Sequence, residues 1–121
     1  INAIKNISIS DAKGILLGNE SAATSYLKDS TTKELYDKFN PIVQESIGKV
    51  GADVIWNSII KKYNTIPLVN KVNPDISDYV TTKAMEGVFK MIAVEEKNIR
   101  EKLTSRNSDL LKSVFALQDK K

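Results

Sequence analysis

The chain has no cysteine and no histidine. Without thiols no disulfide framework exists. Without imidazole the Ser-His-Asp and Cys-His nucleophile systems, the usual zinc sites and haem ligation by histidine all fall away. Asp, Glu, Lys and Tyr remain as the acid and base groups. Arginine is almost as scarce: Arg100 and Arg106 are the only two among 18 basic residues. Arginine rather than lysine supplies the planar fork that reads phosphates and guanines. The lysines are scattered among 15 acids, so the formal charge of +3 reads as a solvated surface, and nucleic acid is not an expected partner. No apolar run is long enough to span a bilayer, and no secretory signal opens the sequence. The isolated glycines form no phosphate cradle, and "SDAKGILLGNES" lacks the acid spacing of a calcium loop. No cofactor and no metal site is expected.

What is present is helical. At 121 residues, 41% of them hydrophobic and 27% charged, the composition fits one soluble globular domain over residues 1–121. Ile4 and Ile7 have helical spacing and read as the tail of a helix, which suggests the C-terminal part of a longer protein. Ser10 is positioned to cap a helix through Ile15, Leu16 and Leu17, with Gly18 ending it in a left-handed conformation. "SAATSYLK" is a short helical piece, and Thr31 with Glu34 forms a capping-box signature opening another. Pro41 kinks or briefly restarts that helix, with Asn40 as the cap. "ADVIWNSIIKKY" follows Gly48 and Gly51 with Val54, Ile55, Ile59 and Ile60 expected buried and Trp56 packing beside them. Residues 64–74, with Pro67 and Pro74, form a loop. Asp75 and Asp78 then open a long helix reaching about Leu103, and Asn107 or Ser108 caps the last one.

Projected at 100° per residue from Ile76, the long helix carries Val80, Ala84, Met85, Val88, Phe89, Met91, Ile92, Val94 and Ile99 across a sector of roughly 220°. So wide a sector implies neighbours on more than one side, a central member of a bundle. Glu95 falls near 100° on that wheel, between Met91 and Ile99. A lone buried carboxylate costs several kcal/mol, so Glu95 is expected to pair with Arg106 across the turn into the last helix, with Asp109 in the same ion network. Glu96 falls near 200° with Arg100 one turn on, and reads as an exposed pair contributing about 0.3–0.5 kcal/mol. Adjacent residues on a helix diverge by about 100°, so Glu95 and Glu96 do not straddle one scissile bond as glycosidase carboxylates do.

The segments "ISDAKGILLGNESAATSYLK", "LYDKFNPIV", "DYVTTKAMEGVFKMIAVEEKNIR" and "RNSDLLKSVF" together resemble the uncharacterised bacterial domain-of-unknown-function family 4197. The resemblance covers most of the chain, and its order and combination are more specific than any one phrase. Asp11, Gly18, Ala22, Ala23, Thr24 and Tyr26 fall in the first motif. Tyr79, Val80, Lys83, Gly87, Phe89, Glu96, Ile99 and Arg100 fall in the long-helix motif, and Arg106 and Asp109 in the closing one. The family pattern tends to a proline where this chain has Leu103, which puts the helix end there in question. The resemblance implies an additional N-terminal portion, commonly behind an export or lipoprotein signal, and hence a periplasmic or envelope-associated protein. It implies no activity.

These observations define an all-α, compact bundle of five to seven helices around one long central helix. They favour a non-enzymatic envelope or periplasmic domain, binding or structural, that recognises a protein partner or small ligand through Tyr79, Lys83, Glu96, Arg100 and Arg106. The alternative is a carboxylate-dependent enzyme using Glu95 or Glu96 in a cleft, which would need a Tyr or Lys beside it and a perturbed pKa. Other partners consistent with the sequence are a missing N-terminal segment of the same protein and a second copy, since apolar surface left by truncation would drive association.

Overall fold

A computed structural model describes residues 2–120. The fold is an all-α bundle: α1 (Asn2–Lys5), α2 (Ile9–Leu16), α3 (Ala22–Gly48), α4 (Ala52–Tyr63), α5 (Ile76–Glu101), a single 3-10 turn (Leu103–Ser105) and α6 (Asp109–Asp119), with no strand among the described residues. No helix among them is long and apolar enough to cross a membrane. By its internal contacts the chain falls into two units, one holding everything up to Thr32 and from Val88 onward, the other Lys33–Gly87.

Local chemistry explains most boundaries and corrects several expectations. Ser8, not Ser10, caps α2, its Oγ accepting from the Asp11 amide at 3.0 Å. Leu17 follows with φ −89° and ψ 1°. Gly18 is not left-handed; the constraint is space, since a Cβ there would lie 2.7 Å from the Ala22 Cβ and 3.0 Å from the Gly14 carbonyl oxygen. No helix begins at Thr31. Its hydroxyl donates to the Leu27 carbonyl at 2.5 Å and that of Thr32 to Lys28, so both threonines bond back one turn and α3 passes through them. Pro41 sits inside the same helix, leaving the Asp37 carbonyl without its usual donor, and Asn40 caps nothing. Ser108 caps α6 through the Leu111 amide at 3.1 Å, as the spacing predicts.

In the second unit, Asp75 caps α5 by accepting from the Asp78 amide at 3.1 Å. The loop before it is held by Asn64, whose side chain donates to the Val72 carbonyl at 2.7 Å and accepts from the Val72 amide at 2.8 Å. Trp56 donates to the Asn73 carbonyl at 3.1 Å and lies 5.7 Å from the Tyr79 ring. Tyr36 donates to one Asp78 oxygen while Asn73 donates to the other at 2.5 Å. Thr81, the most buried of these side chains, donates to Asn40 at 3.1 Å. On α4 only Ile60 is buried. Val54, Ile55 and Ile59 are exposed, contrary to the sequence pattern.

Helix α5 buries less than its wide apolar sector implies. Its buried positions are Ser77, Thr81, Met85 and Phe89, then Glu96 and Arg100. Each step of four residues advances about 40°, so this stripe drifts along the helix, from near 100° at Ser77 to beyond 200° at Phe89 on the wheel drawn from Ile76. Val80, Val88, Met91 and Val94 stay in solvent.

Candidate functional site

The drift of the buried stripe exchanges the expected roles of the two adjacent acids. Near the C-terminal end of α5 the stripe runs through the 200° side, so Glu96 is 7% exposed and Glu95 lies in water. Glu95 makes no bond to Arg106, and the expected Glu95–Arg106–Asp109 network does not form.

Glu96 instead reaches the first turn of α3. One carboxylate oxygen accepts from the Thr24 amide at 2.7 Å and the Thr24 hydroxyl at 2.6 Å; the other accepts from the Ala23 amide at 2.8 Å and Arg100 Nε at 2.9 Å. Amides of a first helical turn have no partner within their own helix, and the helix dipole favours an anion there. Glu96 therefore serves as an N-terminal cap supplied from 72 residues away. Burial pushes its pKa up. The Thr24 hydroxyl, the Ala23 and Thr24 amides and Arg100 more than offset that, and hold the group below the ordinary glutamate range.

Arg100, 6% exposed, performs the opposite service. Its Nη1 donates to the Leu16 carbonyl at 2.8 Å and to Gln118 at 2.7 Å, and its Nη2 to the Ile15 carbonyl at 2.7 Å. A cation thus meets the last carbonyls of α2, where the dipole is negative, although the Ile15 carbonyl also accepts from the Gly18 amide at 3.2 Å. Arg106, 3% exposed, closes α5: Nε donates to the Ile99 carbonyl at 2.8 Å and Nη2 to that of Arg100 at 2.9 Å. The rest of its fork takes both oxygens of Asp119, at 2.6 and 3.0 Å, so hydrogen bonding to Arg106 holds the Asp119 carboxyl below its usual range. Both arginines approach Phe115, each guanidinium carbon 5.6 Å from its ring centre, within cation–π range. Every buried side-chain nitrogen or oxygen among the described residues has a partner.

Of the five residues expected to recognise a ligand, three meet here, buried and occupied. Tyr79 and Lys83 belong to the second unit, where Lys83 Nζ lies 5.9 Å from the Tyr79 ring and 3.4 Å from Glu86. Asp109 sits in the first turn of α6 and takes no part in the ion network. Asp119, Gln118 and Phe115 go beyond the sequence reading; nothing local in the chain marks them, and the fold brings them to the two arginines. At Gly87 a Cβ would meet nothing within 4 Å, so no neighbouring helix explains this glycine.

Two openings flank this network in the first unit. One of about 430 Å³ is lined by Gly18, Asn19, Glu20, Arg100, Glu101 and Gln118. An apolar groove of about 520 Å³ between α2 and α6 is lined by Ile9, Leu16, Leu17, Val114 and Leu117, with Lys13 its one charged side chain. Among the described residues no group of three or more acids could hold a metal.

The arrangement defines a helical domain whose few arginines are spent on joining helix ends. The sequence places it more closely: residues 1–116 match the model of the family described as "Protein of unknown function (DUF4197)", and the chain belongs to that family. No curated protein and no solved structure matches it.

Proposed function

We propose that this chain is a non-enzymatic binding domain of the cell envelope that recognises a protein partner through the apolar groove between α2 and α6. The observation that carries the reading is the contrast between the two sides of the first unit. The charged cluster is closed upon itself, since four donors occupy the Glu96 carboxylate, leaving it no free lone pair to take a substrate's proton. The groove is open and apolar, and its surroundings keep Ile9, Leu110 and Leu117 in solvent, the kind of surface that marks an interaction site. An amphipathic helix laid into a groove between two helices is a common way to cover such a face. The envelope location rests on the family resemblance.

Against the carboxylate-enzyme reading stand the saturation of Glu96 and the position of Glu95, which lines neither opening of the first unit. The test is capture from an envelope extract on immobilised protein, with Leu117→Asp as the control. Specific proteins retained by the wild type and lost by the variant support the reading. Identical retention by both refutes it.

A further inference from the structure

The groove has a chemical peculiarity that narrows its occupant. Lys13 is a lone cation among apolar side chains, with no acid in the lining and no ion pair to any described residue. An occupant that covers the groove also takes water from that ammonium, and a carboxylate brought to meet it is the acceptor that best offsets the loss. The occupant therefore presents a convex apolar ridge with an acid in line.

The same unit carries such a ridge on α5. Val88, Met91 and Val94 are 53%, 72% and 55% exposed. They follow one another at three-residue spacing, within a sector of about 120°. Glu95 lies on that same face, four residues after Met91, exposed and without an ion pair to any described residue. Two other exposed apolar faces among the described residues have an acid nearby. On α3 Glu45 follows Phe39 and Ile42 but is already paired with Lys49 at 3.4 Å. On α4 Asp53 is two residues from Ile55 and diverges from it by about 160°, so it does not lie in line with Ile55 and Ile59.

Resting on the reading of the groove as a binding surface, we infer that its occupant is the α5 ridge of a second copy of this chain, with Val88, Met91 and Val94 seated between α2 and α6 and Glu95 paired with Lys13. Two different patches meet, so the contact is heterologous, and copies add head to tail until a ring closes or a filament grows. The acid that stands out on an apolar helix face thereby gains its partner between molecules rather than within one.

Sedimentation equilibrium on the full chain tests this. The wild type is expected to form concentration-dependent species larger than a dimer. Met91→Asp spoils the ridge and Leu117→Asp the groove; each alone is expected to be monomeric, while their mixture forms a one-to-one heterodimer and nothing larger. Lys13→Glu or Glu95→Lys is expected to weaken association by on the order of tenfold, through the like-charge contact each creates, and the double reversal to restore it. All four positions lie on the surface, and circular dichroism checks that each variant is folded. A wild type that is monomeric at every concentration, association that survives Leu117→Asp, or a double reversal that restores nothing overturns the inference. A monomeric wild type whose capture of envelope proteins still depends on Leu117 would sink the second copy alone and leave the groove's binding role standing.

Discussion

The carboxylate of Glu96 and the guanidinium of Arg100, 2.9 Å apart, terminate two different helices: the acid satisfies the first amides of α3 and the base the last carbonyls of α2. Removing Glu96 takes the acceptor from the Ala23 and Thr24 amides of α3, and removing Arg100 takes a donor from the Leu16 carbonyl of α2. The pair differs in this from an ordinary salt bridge one turn apart on a helix surface.

Replacing Glu96 with Gln is expected to cost about 3 kcal/mol, the scale for breaking a buried charge pair. An amide can still accept from Thr24, but its NH₂ then faces the Ala23 amide and Arg100 Nε, donor against donor. Glu95→Gln, in solvent, should stay within about 0.5 kcal/mol. Urea unfolding of the two variants compares them directly; equal losses would contradict the capping role.

Acid should weaken the fold through Glu96 and Asp119. Both carboxyls titrate below their ordinary range when folded, so the unfolded chain takes up protons first as pH falls. Their contribution is complete above the ordinary carboxylate range, about 4, and disappears as pH drops through the lowered folded values. Glu96→Gln removes one of the two groups, so its stability should vary less steeply with pH over that interval, as urea titrations at several pH values would show.

Alkali should act on the second unit through Tyr36. Its hydroxyl donates to Asp78, and that bond, with burial and the Asp78 charge, pushes its pKa to about 12. The stabilisation is fully present below the ordinary tyrosine value of about 10 and is lost as pH rises through the folded value. Tyrosinate absorbance should show one residue ionising late, and Tyr36→Phe should abolish that phase.

Two glycines should respond to alanine with opposite signs. Gly18→Ala drives a methyl to within 2.7 Å of the Ala22 Cβ and should destabilise by about 1–3 kcal/mol. Gly87→Ala, inside α5 with open space around it, should stabilise by about 0.5–1 kcal/mol. Thermal unfolding of both variants is sufficient to test this.

The helices, the Asp75 and Ser108 caps, the 64–74 loop and the all-α class are readable in the chain because periodicity, capping residues and prolines act locally. The uninterrupted α3 is not: Thr31 carries a capping signature, yet its hydroxyl bonds backward, a choice fixed by the backbone around it. The site is half readable. Glu96, Arg100 and Arg106 stand out in the sequence, but a helical wheel collapses height, and a stripe that drifts along 26 residues passes from the Glu95 side to the Glu96 side. Asp119 is beyond reach because nothing local marks it; only the fold brings it to Arg106.

Helices ordinarily loosen at both ends. With the Ala23 and Thr24 amides closed by Glu96, α3 has one end held by a distant side chain and one, near Gly48, closed only by the backbone amides of Lys49, Val50 and Gly51. Unwinding of this helix is therefore expected to be directional, entering from the glycine side, where only local backbone bonds close it, and arriving last at the acid.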